Sequence, residues 1–151
     1  MTMQFEEKLH KALNDLAILH TGSEKAVLAQ HGLRRVRFYV LRHLYQNPGL
    51  PVTRLSELSL TGPASISRMV YSMEEEGLVQ REQDENDRRK SILSLTDAGK
   101  ALYEKANTAL QADIRARFSS IDEEQFASSI ETIEQLVGAI KQHQHNEDLA
   151  T

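Results

Sequence analysis

The segment from Val52 to Gly99 constrains the fold of this 151-residue chain more than any other, because it combines turn signals with two kinds of periodicity. Two short stretches with apolar residues at helical spacing come first, and Gly or Pro separates them from their neighbours. Two short runs, Leu78 to Glu82 and Ser91 to Leu95, then flank a charged loop. We expect these runs to pair as antiparallel strands. The order predicts two short helices followed by a two-stranded hairpin.

Local signals predict where the two short helices begin and end. Thr53 is expected to cap the first helix. Pro63 suits the first position of the second helix, with Thr61 or Gly62 as its cap. Gly77 is expected to end that helix in the left-handed conformation.

The second short helix, from Thr61 to Glu76, has two faces of different character. At about 100° per residue, one face carries the apolar side chains that we expect in the core, namely Ile66, Met69, Val70 and Met73. The other positions carry small side chains around one Arg, a composition that allows close approach to the base edges of DNA. The candidate DNA-binding residues here are Thr61, Ala64, Ser65, Ser67, Arg68 and Ser72. The glutamates from Glu74 to Glu76 are expected to be solvated, because the helix leaves the DNA groove there.

The loop between the predicted strands carries one acidic and three basic side chains in succession: Asp87, Arg88, Arg89 and Lys90. Cations at an exposed tip suit contact with DNA phosphates or with the minor groove. Taken alone, such a run is more often a soluble hairpin tip. The DNA-binding interpretation therefore depends on the helix that precedes it.

The charge distribution supports that interpretation, although the net charge of −4 argues against it. The stretch from Arg34 to Lys100 holds 11 basic and 9 acidic residues, whereas the rest of the chain holds 7 and 13. Counterion release from DNA depends on local contacts. An acidic chain with a basic surface can therefore still bind DNA.

This segment resembles the winged helix-turn-helix of the multiple antibiotic resistance regulator (MarR) family. Its wing pattern, Asp-x-Arg-x-x-x-Leu-x-Leu-Thr-x-x-Gly, is met by Asp87, Arg89, Leu93, Leu95, Thr96 and Gly99. The run from Ser65 to Val70 resembles the recognition helix of the same family. The resemblance implies a mainly α fold: a winged helix-turn-helix with a two-stranded β-wing, flanked by N- and C-terminal dimerisation helices. It also implies a sequence-specific DNA-binding transcriptional regulator, with repression as the default.

The resemblance assigns roles to the hairpin tip. The Arg that matches Arg89 enters the minor groove in this family, and the Asp that matches Asp87 helps to hold it. Arg88 and Lys90 are then expected to contact phosphates. The chain departs from the family at Arg34 and Arg35, where a small hydroxyl residue or Pro is common. These two arginines could contact phosphate or anchor an acidic partner helix, and the sequence favours neither.

Apolar stripes on the flanking helices predict a homodimer. One stripe includes Leu9, Leu13 and Leu16, on a helix from Phe5 to about Gln30 that Gly22 is expected to kink. Thr96 is expected to cap the first C-terminal helix, and Asp122 the second. The second carries a 4-3-4-3 series, Phe126, Ile130, Ile133, Val137 and Ile140. This apolar surface exceeds what a compact winged helix can cover, so we expect a partner subunit to bury it.

We therefore expect four regions. Residues 1–32 form an N-terminal dimerisation helix, 33–99 the DNA-binding domain, 100–143 the C-terminal dimerisation helices and 144–151 a flexible tail. A two-fold dimer would read a pseudo-palindromic operator with half-sites about one helical turn apart.

Several other classes are not favoured. The absence of cysteine rules out disulfides and thiol-based sensing. No catalytic motif, His-Glu-x-x-His pattern, signal peptide or long apolar run occurs, so we expect a cytoplasmic protein without enzymatic activity, cofactor or metal. The alternatives kept open are a winged-helix protein-interaction module and an architectural DNA-binding module without ligand sensing.

The resemblance further implies that a small aromatic or phenolic anion binds where the dimerisation helices meet the winged helix. Basic and aromatic side chains near that junction would suit such a ligand. The candidates are His20, Arg37, Tyr39, Arg42 and His43.

Overall fold

The computed structural model describes residues 3–59, 61–87 and 90–150. The described elements, in chain order, are α1 (Met3–Ala29), α2 (Arg35–Gln46), β1 (Leu50–Pro51), α3 (Val52–Leu58), α4 (Pro63–Glu75), β2 (Val79–Gln83), β3 (Ser91–Leu95), α5 (Asp97–Arg117) and α6 (Glu123–Ala150). The expected mainly α fold with a β-wing is confirmed. The chain divides into two compact units, Met1–Asp113 and Ile114–Thr151.

The sheet has a third strand that the sequence did not reveal. Strands β2 and β3 pair antiparallel from Val79 opposite Leu95 to Gln83 opposite Ser91, as expected for the wing. On the other side of β3, Leu50 pairs with Leu93, which gives the order β1-β3-β2. Strand β1 has only two residues, one of them a proline. A strand this short shows no alternation of apolar and polar residues, so periodicity could not predict it.

Proline and glycine residues, rather than capping side chains, mark the ends of the two short helices. Helix α3 begins directly after Pro51, at φ −64° and ψ 149°, with no side-chain cap. Thr53 was therefore wrongly expected to cap it and lies inside the helix instead. Helix α4 begins as expected, with Gly62 as N-cap and Pro63 at its first position. Gly77 has φ 69°, the left-handed value expected after this helix.

The long helices are more continuous than their sequences suggest. Helix α1 runs through Gly22 without interruption. Helix α6 follows Asp122, whose Oδ1 accepts a hydrogen bond from the Gln125 amide at 2.9 Å, and continues to Ala150. The predicted tail beyond residue 143 is thus helical as far as it is described. No Gly or Pro interrupts it, and Nε2 of His143 lies 3.5 Å from Oε1 of Glu147, one turn later.

The core of the first unit lies between α2, the short helices and the sheet. Its largest fully buried side chains are Leu28, Val40, Leu41, Leu44, Leu55, Ile66, Val70, Met73 and Leu93. The expected apolar face of α4 is therefore confirmed, with Met69 partly buried at its border. Tyr103 of α5 joins this core, with its ring 5.5 Å from that of Phe38.

Thr96 joins the wing to α5. Its amide donates to the Leu78 carbonyl at 3.1 Å, and its hydroxyl donates to the Gly77 carbonyl at 2.6 Å. The same hydroxyl accepts from the Gly99 amide at 3.1 Å, the expected helix cap. A Cβ on Gly99 would lie 2.0 Å from the Leu78 carbonyl oxygen. The close approach of two backbone segments therefore requires glycine at position 99.

We expect Gly99→Ala to lower the free energy of unfolding by at least about 2 kcal/mol, because backbone rather than a flexible side chain must move. Gly22→Ala is the matched control. No atom lies within 4 Å of the Cβ it would add, and alanine is favoured over glycine in a helix by roughly 0.8 kcal/mol. Urea unfolding monitored by circular dichroism measures both. Equal stabilities of the two variants would contradict the packing argument.

Candidate nucleic-acid interface and ligand cavity

The outward face of α4 consists mainly of small side chains. Because Ile66, Val70 and Met73 are buried, the positions between them point away from the core. The exposed predicted residues are Ala64, Ser65, Ser67, Arg68 and Ser72. Arg68 makes no hydrogen bond or ion pair with any residue that the structure describes. Its guanidinium is thus available on a surface where little else protrudes.

Tyr71 is the large side chain on this face and was not among the predicted site residues. Its side chain is 61% exposed on the same surface as Arg68. Its helical position opposite the buried face was the available signal.

Two of the predicted residues, Thr61 and Ser72, form hydrogen bonds within the local structure. The Thr61 hydroxyl donates to the Ser59 carbonyl at 3.0 Å, within the turn between α3 and α4. The Ser72 hydroxyl donates to a carboxylate oxygen of Glu76 at 3.0 Å. Both hydroxyls therefore have partners inside the chain.

The wing tip is shaped by an aspartate that the sequence analysis passed over. Oδ1 of Asp84 accepts the amides of Asn86 at 2.8 Å and Asp87 at 3.3 Å. This is an Asx-type turn, and an Asp at the start of a polar loop was the signal for it. Lys90 is exposed, with its Nζ 4.0 Å from Asp87. Arg88 and Arg89 lie outside the described residues, so their predicted roles stay predictions.

A groove of about 590 Å³ lies between α3, α4 and the wing. Its lining residues are Pro51, Val52, Thr53, Ser67, Arg81, Lys90 and Ser91. Hydroxyl and cationic groups of this kind are the side chains that hydrogen-bond DNA phosphates. The groove thus continues the surface of α4 toward the wing.

The three glutamates at the end of α4 differ from one another. Glu74 pairs with Arg81 of β2 at 3.1 Å, and Glu76 pairs with Arg37 of α2 at 2.6 Å. The hydrogen bond from Arg37 lowers the pKa of the Glu76 carboxyl. Glu75 is exposed and makes no such contact among the described residues. Glu75 and Glu76 are exposed, as expected for solvated side chains, whereas Glu74 is partly buried; the ion pairs of Glu74 and Glu76 were not expected.

The ligand candidates are divided between different places. Tyr39 and His43 line a cavity of about 380 Å³ together with Arg35, Val36, Leu58 and Ser59. Arg37 lines a separate depression beside Met69. His20 on α1 and Arg42 on α2 line neither.

A buried carboxylate fixes one wall of the 380 Å³ cavity. Glu24 of α1 is 3% exposed and accepts hydrogen bonds from Arg35 Nε and, at 2.8 Å, from the Tyr39 hydroxyl. The hydrogen bond to Glu24 raises the pKa of Arg35, and burial followed by the same hydrogen bond raises that of Tyr39. Arg35 is therefore held as a cation and Tyr39 as a neutral phenol.

The opposite wall carries neutral polar groups. Burial and the nearby charge of Arg42 lower the pKa of His43, which favours its neutral form near pH 7. The Ser59 hydroxyl oxygen is buried and has no hydrogen-bond partner among the described residues. A buried hydroxyl of this kind costs stability unless a partner binds it. Arg35 and Ser59 were both missed, although the unusual Arg34-Arg35 pair pointed to this region.

Neither a metal site nor a membrane span is found in the described part of the chain. No group of three or more His, Cys, Asp or Glu side chains there is arranged to hold a metal ion. No helix among the described residues has both the length and the apolar character needed to cross a membrane.

Comparison with known proteins places this surface in a family. The MarR family model matches residues 33–91. The homoprotocatechuate degradative operon repressor of Escherichia coli is 28% identical over 110 residues, which cover 71% of this chain and 74% of that protein.

Solved structures share the fold. A MarR family protein from Bacillus stearothermophilus superposes with a TM-score of 0.84 at 21% identity, covering 93% of this chain and 99% of that one. Bordetella bronchiseptica BpsR, described in a study of the regulation of its DNA binding by 6-hydroxynicotinic acid, has a TM-score of 0.74 at 17% identity, covering 91% and 98%. The matched segment contains α4 and the start of β3, so the chain carries a domain that matches the MarR family of DNA-binding transcriptional regulators.

Proposed function

We propose that the chain acts as a homodimer that represses transcription by binding a pseudo-palindromic operator. The observation that carries this proposal is the outward face of α4, where small side chains accompany Arg68, which has no partner among the described residues. In helix-turn-helix proteins the N-terminal residues of the second helix contact base edges. Ser65, Ser67 and Arg68 lie in that half of α4. Residues 33–99 are then the DNA-binding domain.

The wing supplies the remaining DNA contacts in this proposal. Lys90 and the hydroxyls of Thr53 and Ser91 line the groove beside α4, where the DNA backbone would pass. Arg89 is proposed to enter the minor groove, with Arg88 on phosphate. Contacts of this kind make affinity fall steeply with salt.

Two exposed apolar surfaces support the homodimer. On α1, Leu9, Leu13 and Leu16 are between 37% and 44% exposed. On α6, Ile130, Ile133, Val137 and Ile140 are between 43% and 49% exposed. Apolar stripes of this length on one helix face usually mark a protein interface. We infer that residues 1–32 and 100–143 pair with a second copy of the chain.

We further propose that a small aromatic acid binds in the cavity lined by Arg35, Tyr39, His43 and Ser59. Glu24 bonds only Nε of Arg35, so the Nη groups would hydrogen-bond the ligand's carboxylate, and the neutral His43 and Ser59 would hydrogen-bond its polar groups. The relatives support this ligand class, because BpsR is described as regulated by 6-hydroxynicotinic acid. A ligand that binds more tightly to a dimer whose α4 helices are wrongly spaced for the operator shifts the population toward that dimer. This difference in affinity is enough to weaken DNA binding.

We expect Arg68→Ala to weaken binding to a duplex selected by the wild-type protein from a random pool. A good Arg–guanine pair contributes about 1 to 3 kcal/mol, and the base preference at one position of each half-site should relax. Lys105→Ala on α5 removes the same charge from an exposed position outside this surface and serves as the control. Fluorescence anisotropy measures both affinities. Equal losses of affinity in the two variants would show that Arg68 contributes only charge, as in an architectural DNA-binding module. If the wild-type protein bound no DNA, a protein-interaction module would be favoured.

We expect Ile133→Glu to convert the dimer into monomers, because the interface would have to bury an unpaired carboxylate. Ser128→Glu places the same charge elsewhere on the exposed surface of α6 and should leave the dimer intact. Sedimentation velocity at micromolar concentration distinguishes the two species. A wild-type protein that sediments as a monomer and still protects a full palindrome would contradict the dimer.

We expect salicylate to bind the wild-type protein and release it from DNA, and Ser59→Ala to weaken salicylate binding about 2- to 10-fold. The variant should fold as stably as the wild type, because the Ser59 hydroxyl has no partner to lose among the described residues. Ser65→Ala on α4 is the control. Isothermal titration calorimetry reports the affinity, and unchanged binding by Ser59→Ala would place the ligand elsewhere. Peroxide should have no thiol-dependent effect, since the chain lacks cysteine.

A further inference from the structure

The end of α4 is tied to the elements on either side of it. The contacts come from Glu74 and Glu76, the first and last of three consecutive glutamates. Glu74 pairs with Arg81 in the wing strand β2, and Glu76 pairs with Arg37 in α2. Glu75 lies between them, exposed and without such a contact in the described structure.

The ion pair between Glu74 and Arg81 of the wing is bidentate. Arg81 donates from Nε to Oε1 and from Nη2 to Oε2 of Glu74, both at 3.1 Å. Its remaining Nη1 donates to the Ser91 hydroxyl of β3 at 3.1 Å. Only a guanidinium offers donors at this spacing. Arg81 therefore holds both wing strands against α4.

The position of Arg81 follows from the strand. Val79, two residues earlier on β2, is buried in the core, and side chains two apart on a strand point to the same face. Arg81 thus extends from the core-facing side of the wing over the end of α4. Its charge is paired with a carboxylate and three of its five N–H donors are used within the chain, so we assign the main phosphate contacts of the groove to Lys90 and the hydroxyl groups.

The pair with α2 uses both carboxylate oxygens of Glu76. Oε2 accepts from Arg37 Nη2 at 2.6 Å, and Oε1 accepts from the Ser72 hydroxyl at 3.0 Å. The Arg37 side chain is 22% exposed and the Glu76 side chain 45%, so solvent screens this pair in part. Arg37 Nε is also buried without a partner among the described residues. The position of Arg37 therefore depends on Glu76.

We propose that Glu74 and Glu76 are positioning residues that strengthen DNA binding by fixing α4 relative to the wing and to α2. The inference rests on the proposed role of α4 as the DNA-reading helix. The proposal predicts an unusual direction for the effect of removing these carboxylates on DNA affinity. A carboxylate near DNA normally repels the phosphates, so its removal should tighten binding. If these two carboxylates hold α4 in place, their removal weakens binding instead.

The three glutamates provide a matched test on one helix. Glu74→Gln, Glu75→Gln and Glu76→Gln each remove one negative charge and preserve the side-chain shape. With the selected duplex, we expect Glu75→Gln to bind as tightly as the wild type or up to about 2-fold more tightly. We expect Glu74→Gln and Glu76→Gln to bind about 5- to 10-fold more weakly, the scale of a charge-assisted hydrogen-bonded pair.

Two further measurements separate positioning from other roles. A plot of log affinity against log salt concentration should have the same slope for Glu74→Gln as for the wild type. A change of about 0.9 in that slope would mean that one phosphate contact was gained or lost. The double variant Glu74→Gln/Arg81→Gln should bind no more weakly than either single variant, since all three lack the same contact.

Hydrogen exchange tests the anchoring without DNA. Amides of β2 and β3 should exchange faster in Glu74→Gln than in Glu75→Gln, because only the former loosens the wing. Tighter DNA binding by Glu74→Gln and Glu76→Gln, or equal exchange in the wing, would overturn the inference. If the wild type selects no duplex, the proposed function fails, and the exchange rates alone then decide the anchoring.

Discussion

Burial of the apolar face of α4 is the interaction on which the other features of this chain depend. Ile66, Val70 and Met73 have no exposed surface, and this fixes the rotation of the helix about its own axis. A helix turned by one position would bury Ser67 or expose Val70, and each change carries a free-energy penalty. The exposed small residues and Arg68, which we propose as the DNA-reading surface, are thus oriented outward by the same packing that stabilises the core.

The chain also shows how an acidic protein can present a DNA-binding surface. Its net charge is −4, and carboxylates occur at the end of the reading helix itself. Glu74 and Glu76 are each adjacent to a guanidinium, so their fields are largely cancelled at the distance of a DNA phosphate. Arg68 lacks such a partner in the described structure. Local pairing, more than total charge, therefore determines where the surface attracts an anion.

Features set by neighbouring residues could be predicted from the sequence, and features set by distant pairs could not. Gly77, Pro63 and Thr96 act within one turn of themselves, and the periodicity of α4 identified its buried face. The contacts of Glu24 with Arg35 and of Glu74 with Arg81 depend on how elements pack, which no local pattern encodes. For the same reason, the cavity contained only Tyr39 and His43 of the five proposed ligand residues.

The third strand has a consequence for how copies of this protein can associate. Strand β3 is covered on both sides, so only β1 and β2 have free edges within the described sheet. Strand β1 has two residues and includes Pro51, which lacks an amide to donate, while β2 exposes Arg81 and Glu82. Short, proline-containing or charged edges resist the addition of another strand. Association through sheet extension is thereby disfavoured, which agrees with the proposal that subunits pair through the apolar helix faces.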